Sequence, residues 1–312
     1  METSAPMPAP LEITVSGTVA NRPEWLPPDE FPFTSRYLDL HGHKIHYLDE
    51  GQGPLLLFVH AGMWSFLWRD LIIRLREQFR CVALDFPGAG LSKAAEGYRP
   101  GLQVASKVLE SFIRALNLQD ITLVLHDLGG PVALGMSPSL LGRVRGIVVS
   151  ESFGWPLSDE FPQVARMLRL VGGRSFGLVN EATNLLMRVT STSFAAGRHL
   201  SREGRRALRG PYRDRGARQH TPAMLRDAAS ADNFLRGVDR ALHTVLRERP
   251  VLLVYGAKSP AIKARFPDRW QQRFPHARLL VVESGHHFPM ADHPDLVAGA
   301  IRSWWSTQVL AA

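Results

Sequence analysis

The segment Leu123-Val-Leu-His-Asp-Leu-Gly-Gly-Pro131 sets an aspartate, Asp127, between an apolar run and two glycines. The run ends at His126, and a helix is predicted to open near Gly129. A sharp strand-to-helix turn holds the side chain at its apex over the carboxyl edge of a sheet, where α/β proteins bind ligands. Gly129 and Gly130 permit close approach of helix and strand. The helix N-terminus would turn N–H groups and a positive dipole end toward the carboxylate. Two roles compete for Asp127 on this information: a carboxylate nucleophile, or an N-cap, for which Asp is favoured. Partners for the first role close other apolar runs. They are Glu151 and the adjacent pair His286-His287. His60-Ala61-Gly62 ends an earlier run, a turn at which a backbone N–H could face an oxyanion.

These residues need a sheet to bring them together. Short strands are predicted over 36–40 and 44–49, and buried ones over 54–60, 79–84, 121–126, 144–150, 250–256 and 278–283. Helices are predicted over 65–78, 102–116, 129–140, 263–274 and 294–305. Strand alternating with helix implies a parallel α/β sheet. The rhythm breaks between 155 and 246, where only helical stretches are read: 162–170, 178–189, 202–208 and 223–246. An insertion of this length is too long for a plain loop. The expected organisation is a proline-rich arm (1–34), an α/β core (35–154 and 247–312) and a helical cap (155–246).

Composition narrows the class. The chain has 312 residues, 45% of them apolar and 21% charged, enough for a sizeable core. A single cysteine, Cys81, excludes an intramolecular disulfide and a multi-cysteine zinc site. No apolar run is long enough to span a bilayer. METSAPMPAP has neither a basic n-region nor an apolar h-region, so a cytoplasmic protein is expected. The net charge of +8 comes from 32 Arg and 5 Lys against 29 acids. The densest stretch, Arg198 to Arg218, reads as a solvated helical face rather than a nucleic-acid site. The expected partner is a small-molecule substrate, with no nucleic acid, membrane, metal or cofactor, and with a homodimer left open.

Six pieces, taken in order, carry a family resemblance: Tyr47-Leu-Asp-Glu-Gly51, His60-Ala-Gly62, Trp68-Arg69, Asp85-Phe-Pro-Gly-Ala-Gly-Leu-Ser92, His126-Asp-Leu-Gly-Gly130 and His287-Phe-Pro-Met290. From about Trp25 to Trp305 the chain resembles the α/β-hydrolase fold, in the branch of haloalkane dehalogenases and epoxide hydrolases with an aspartate nucleophile. The resemblance implies Asp127 as nucleophile, forming an alkyl-enzyme ester, and a histidine that activates water to hydrolyse it. The family's histidine precedes an aromatic residue and lies seven positions before a proline. His287 fits, with Phe288 and Pro294. Many relatives carry their acid in Gly-x-x-Asp-Pro, but here Gly256-Ala-Lys-Ser-Pro260 has Ser259 there. A second subset of the family puts the acid after the preceding strand, which implies Glu151 as the residue orienting His287. Asp268, inside the next helix, is the poorer candidate. The implied oxyanion hole uses the N–H group of Leu128 and that of Gly62, with Ala61 as the alternative to Gly62.

The chain departs from the family at the leaving group. Dehalogenases of this branch hold halide with a tryptophan right after the nucleophile and with a second donor, usually an asparagine two positions after the turn histidine or another tryptophan. Leu128 and Gly62 stand there. Trp64 and Trp155 carry indole N–H groups that could substitute, the competing role being core packing. Epoxide hydrolases use cap tyrosines, and the predicted cap contains one, Tyr212. Phe153, Trp155 and Tyr212 are the expected pocket-lining residues, with Trp64. The expected activity is haloalkane-dehalogenase-like, on a small to medium apolar electrophile. The alternatives are an epoxide hydrolase and a binding protein or non-hydrolytic catalyst on the same scaffold.

Overall fold

The computed structural model describes residues 22–192 and 195–310. The arm expected over 1–34 lies outside these residues up to position 21. One sheet of eight strands organises the chain: β1 (Arg36–Leu40), β2 (His43–Glu50), β3 (Leu55–Val59), β4 (Arg80–Leu84), β5 (Ile121–His126), β6 (Val144–Ser150), β7 (Val251–Gly256) and β8 (Arg278–Val282). Their order across the sheet is β1-β2-β4-β3-β5-β6-β7-β8. β2 runs antiparallel to β1 and β4, and every other pairing is parallel.

The central strands read as unbroken apolar runs because both faces are covered. Side chains alternate between faces. Leu55, Leu57 and Val59 of β3 therefore enter one core, while Leu56 and Phe58 enter the other. Leu123 and Leu125 of β5 join the first core and Val124 the second. Helix Leu102–Ala115 covers the first face with Leu102, Ala105, Val108, Leu109, Phe112 and Ile113, an i, i+3, i+4 stripe. Helix Pro294–Trp304 covers the second with Val297, Ala298, Ile301 and Trp304.

Several predicted helices are shorter than the periodicity suggests, each for a local reason. The stretch 178–189 is divided at Asn184, whose backbone is left-handed (φ 56°), into Arg174–Thr183 and Leu185–Thr190. The stretch 223–246 is two helices, His220–Ala228 and Asp232–His243. The helix that opens at Gly129 ends at Leu134, capped by Gly135, six residues before the expected stop at Leu140. Among the described residues, no strand lies between β6 and β7. That helical segment packs its Phe161, Ala165, Leu168, Met224 and Leu235 into the first core.

The sheet order carries the functional consequence. After β3 the chain moves to β4 on one side, and β5 then returns to the other side of β3. Crevices form beyond the carboxyl ends of strands at such a reversal. The turn at His60, the turn at Asp127 and the end of β6 all meet there.

Candidate active site

β5 and β6 run in register with His126 opposite Ser150, so Asp127 and Glu151 leave the sheet side by side. Both have left-handed backbones, φ 48° at Asp127 and 51° at Glu151. Positive φ is costly for a residue with a Cβ and persists only when the surroundings impose it. Here they do. The Asp127 carbonyl accepts from the Ser152 hydroxyl at 2.6 Å and from the Gly130 N–H at 3.2 Å. The Ser152 carbonyl in turn accepts from Tyr255 Oη and Trp270 Nε1, both at 2.9 Å. The two glycines are steric requirements. A Cβ at Gly129 would strike the Val59 carbonyl, and one at Gly130 would strike the Ser152 hydroxyl.

Glu151 is buried, and its Oε1 accepts from the Gly256 N–H at 2.7 Å, which ties β6 to the end of β7. Its Oε2 accepts no hydrogen bond and lies 3.7 Å from His287 Nδ1. Contacts of this length commonly tighten once substrate excludes water. Burial lowers the His287 pKa, but the Glu151 carboxylate and the charge of Asp127 outweigh it, and the net shift is upward. Asp127 is also shifted upward, first by burial and then by Glu151; His287 and the Leu128 N–H oppose this.

The His287 shift sets a pH dependence. Only the neutral imidazole can take a proton from water, so activity rises as pH passes through the raised pKa. The acid limb of the pH–rate profile is therefore expected above 6.5, the ordinary histidine value. Glu151→Gln removes the charge that raises it, so the limb moves to lower pH. A pH profile of kcat, which contains the hydrolytic step, checks this for both proteins, and an unmoved limb would separate Glu151 from His287.

Beneath His287 lies a column of imidazoles. His60 and His126 rings are 4.9 Å apart, as are His126 and His287. His126 Nε2–H donates to the His287 carbonyl at 2.6 Å, which fixes its tautomer and holds the base loop down. Burial, followed by the proximity of His287, drives the pKa of His126 well down and that of His60 to about 3. Both are neutral at physiological pH, which keeps added positive charge away from His287.

A cavity of about 550 Å³ opens over Asp127, Glu151 and His287. Its walls are mostly apolar, with Phe153, Leu168, Leu225, Phe266 and Phe288 among them. Sequence reasoning missed Lys258 and the wall from helix Pro162–Val171. Lys258 stands inside Gly256-Ala-Lys-Ser-Pro260, so its place in the motif was a usable signal. His286 also lines the cavity, its Nδ1 2.5 Å from the Arg198 guanidinium.

Other expected residues lie elsewhere. Ser259 is buried and caps helix Pro260–Lys263, accepting from the Ile262 N–H at 3.1 Å. Asp268 pairs with Arg265 at 2.6 Å on the surface. Gly62 does not meet the oxyanion expectation. Its N–H donates to His60 Nδ1 at 3.1 Å, because the turn folds back on its own histidine. The Leu128 N–H does face the Asp127 carboxylate. Trp64 is not a cavity residue: its indole donates to the Leu208 carbonyl at 3.1 Å, and its ring packs on Phe31 and Phe66. Trp155 is fully buried against Phe161, Phe266 and Trp270, under the Arg273 guanidinium. Tyr212 is buried in the second core and does not reach the cavity wall. Of the four expected lining residues, Phe153 is the one in the wall.

The alpha/beta hydrolase fold model matches residues 54–294, a span that holds Asp127, Glu151 and His287. The chain belongs to the alpha/beta hydrolase fold family. Within this family the chain is similar to haloalkane dehalogenases. Haloalkane dehalogenase 2 of Mycobacterium tuberculosis (strain ATCC 25618 / H37Rv) is 29% identical over 284 residues, covering 88% of this chain and 96% of the relative. Cis-3-alkyl-4-alkyloxetan-2-one decarboxylase of Shewanella oneidensis is 26% identical over 295 residues, covering 90% and 91%. The fold of haloalkane dehalogenase DatA from Agrobacterium tumefaciens C58 superposes with a TM-score of 0.76 at 21% identity, covering 88% of this chain and 96% of that one. This alpha/beta hydrolase is an enzyme, and its sheet and covering helices follow the family's fold. Among the described residues no helix is long and apolar enough to cross a membrane, and no cluster of His, Cys, Asp and Glu could hold a metal ion.

Proposed function

We propose that the enzyme hydrolyses a small to medium apolar electrophile through an ester on Asp127, with residues 155–246 as the cap over the pocket. The Asp127 carboxylate attacks carbon, and the leaving group departs with the bonding electrons. His287 then takes a proton from water, the hydroxide attacks the ester carbonyl, and Asp127 is regenerated as the alcohol leaves. Glu151 holds the imidazole through Nδ1–H and balances its charge while it carries the proton. The observation that carries this reading is the Glu151 Oε2 atom, buried, unbonded and 3.7 Å from His287 Nδ1, beside Asp127 in an apolar cavity. A pure binding protein gains nothing from two carboxylates and an imidazole gathered in that way.

The leaving group remains the finer question. Dehalogenation is the first reading, on the resemblance. Its usual indole donor is replaced by Leu128, and neither Trp64 nor Trp155 lines the cavity. Lys258 and His286 are then the cationic or donor groups available to a departing anion. The same observation favours a second reading, opening of a strained oxygen ring, whose leaving oxygen stays tethered and needs less help to separate. The oxetan-2-one named for the Shewanella relative is such a ring. An epoxide is another, but Tyr212, buried away from the cavity, is not its proton donor.

An intact-mass trap tests both. The His287→Phe variant should form the ester without hydrolysing it. Exposed to 1-bromohexane, 1,2-epoxyhexane and a dialkyl β-lactone, it is expected to gain either an alkyl mass without bromine or the whole mass of one ring. The Asp127→Asn, His287→Phe double variant should gain neither. No adduct from any of the three would overturn the covalent reading.

A further inference from the structure

We propose that the outer face of the helical segment, formed by residues 166–190 and 202–209, docks on an anionic lipid surface. Arg188, Arg202, Arg205, Arg206 and Arg209 line one surface cleft of about 590 Å³ that contains no carboxylate. Four of them fall at i, i+3, i+4 and i+7 on helix Arg202–Arg209, opposite its buried Gly204, Ala207 and Leu208. None of the five makes an ion pair among the described residues, and Arg205 donates only to the Gly197 carbonyl, at 3.0 Å. Like charges at i, i+4 destabilise a helix, so this face gains from an external anion.

The second observation is apolar. Helical segments ordinarily turn such side chains inward. Among the described residues ten large apolar side chains stay exposed, and six of them fall between 167 and 189: Met167, Leu170, Leu178, Val179, Leu185 and Val189. Leu170 and Leu178 are 74% and 69% exposed. Arginines 166, 169, 174 and 188 are interleaved with them and are also exposed. Glu181 is the single acid between 161 and 192, and it is engaged by Gln219. Arg188 joins the two features, since it lines the arginine cleft and sits between Leu185 and Val189.

Exposed apolar side chains among arginines match a headgroup layer over acyl chains. A second copy of this face would set arginine against arginine. Nucleic acid would leave the six apolar side chains without use. Met167 is both exposed and part of the wall of the Asp127 cavity, together with Val164, Leu168 and Val171. The docked face therefore borders the cavity, and an apolar substrate could pass from the bilayer to it. The docking itself does not depend on the chemistry at Asp127.

Flotation of the full chain with vesicles tests this. Phosphatidylcholine vesicles are compared with mixed vesicles carrying about one-third phosphatidylglycerol. Binding is expected to be roughly tenfold or more stronger on the mixed vesicles and to weaken with added salt. The Arg202→Glu, Arg206→Glu variant should lose that preference. The Leu178→Ser, Val189→Ser variant should weaken binding at unchanged charge. Both change exposed side chains, and circular dichroism confirms folding. Equal binding to the two vesicle types, or full binding by either variant, overturns the proposal. So does tighter binding to duplex DNA that ignores Leu178 and Val189, or a dimer in solution that the serine variant dissociates.

Discussion

Asp127→Asn is expected to abolish turnover, by roughly 10⁴-fold or more, while making the protein more stable. The two effects have one cause. Burial is the largest influence on the Asp127 carboxyl and raises its pKa above the ordinary 3.8. The native state then holds the proton more tightly than the unfolded chain does. The penalty is absent below the unfolded pKa, grows as pH rises toward the folded pKa, and is fully present above it. At neutral pH the wild type therefore carries a buried charge that asparagine removes. Calorimetry should find the variant's Tm higher at pH 7, and the gap should close as pH falls below about 4. A variant that still turned over substrate would remove Asp127 from the mechanism. A variant less stable than the wild type would mean that the carboxylate is structural.

Glu151→Gln should reduce kcat by roughly 10²–10⁴-fold, because the imidazolium loses the charge that orients and balances it. The change is nearly isosteric, and the contact with the Gly256 N–H can be kept by the amide oxygen. Asp268→Asn should change kcat by less than about twofold, since its partner is the exposed Arg265 and such pairs contribute little. Steady-state kinetics on the substrate found by the mass trap compares the two directly. The reverse order would move the acid to the helix after β7.

Much of the site was legible because its residues sit at the ends of apolar runs. The run 121–126 ends beside Asp127, and the run 144–150 ends beside Glu151. Strand boundaries follow from burial on both faces, which leaves a continuous apolar signal that stops where the chain leaves the sheet. The helical segment was less legible. Periodicity joined helices that Asn184 and the 229–231 turn divide, because a left-handed residue breaks a helix without disturbing the apolar spacing around it. Hydrogen bonds made at long range were not legible at all. The Trp64 indole looked free in the sequence, yet Leu208, far along the chain, takes its N–H. Gly62 looked poised for an oxyanion, but the ring two residues earlier accepts its N–H.

The amino-acid sequence by itself determined the succession of strands and helices and set Asp127, Glu151 and His287 just beyond apolar runs; the strand order and the reversal beside β3 came from the tertiary structure. The elements follow from apolar periodicity, which is local. Tertiary structure decided which polar atoms are spent and which are free. It committed Ser259 to a helix cap, Trp64 to a carbonyl and Tyr212 to the core, and it brought Lys258 and His286 to the cavity. A buried polar group must find a partner, and which partner it finds depends on segments far apart in the chain.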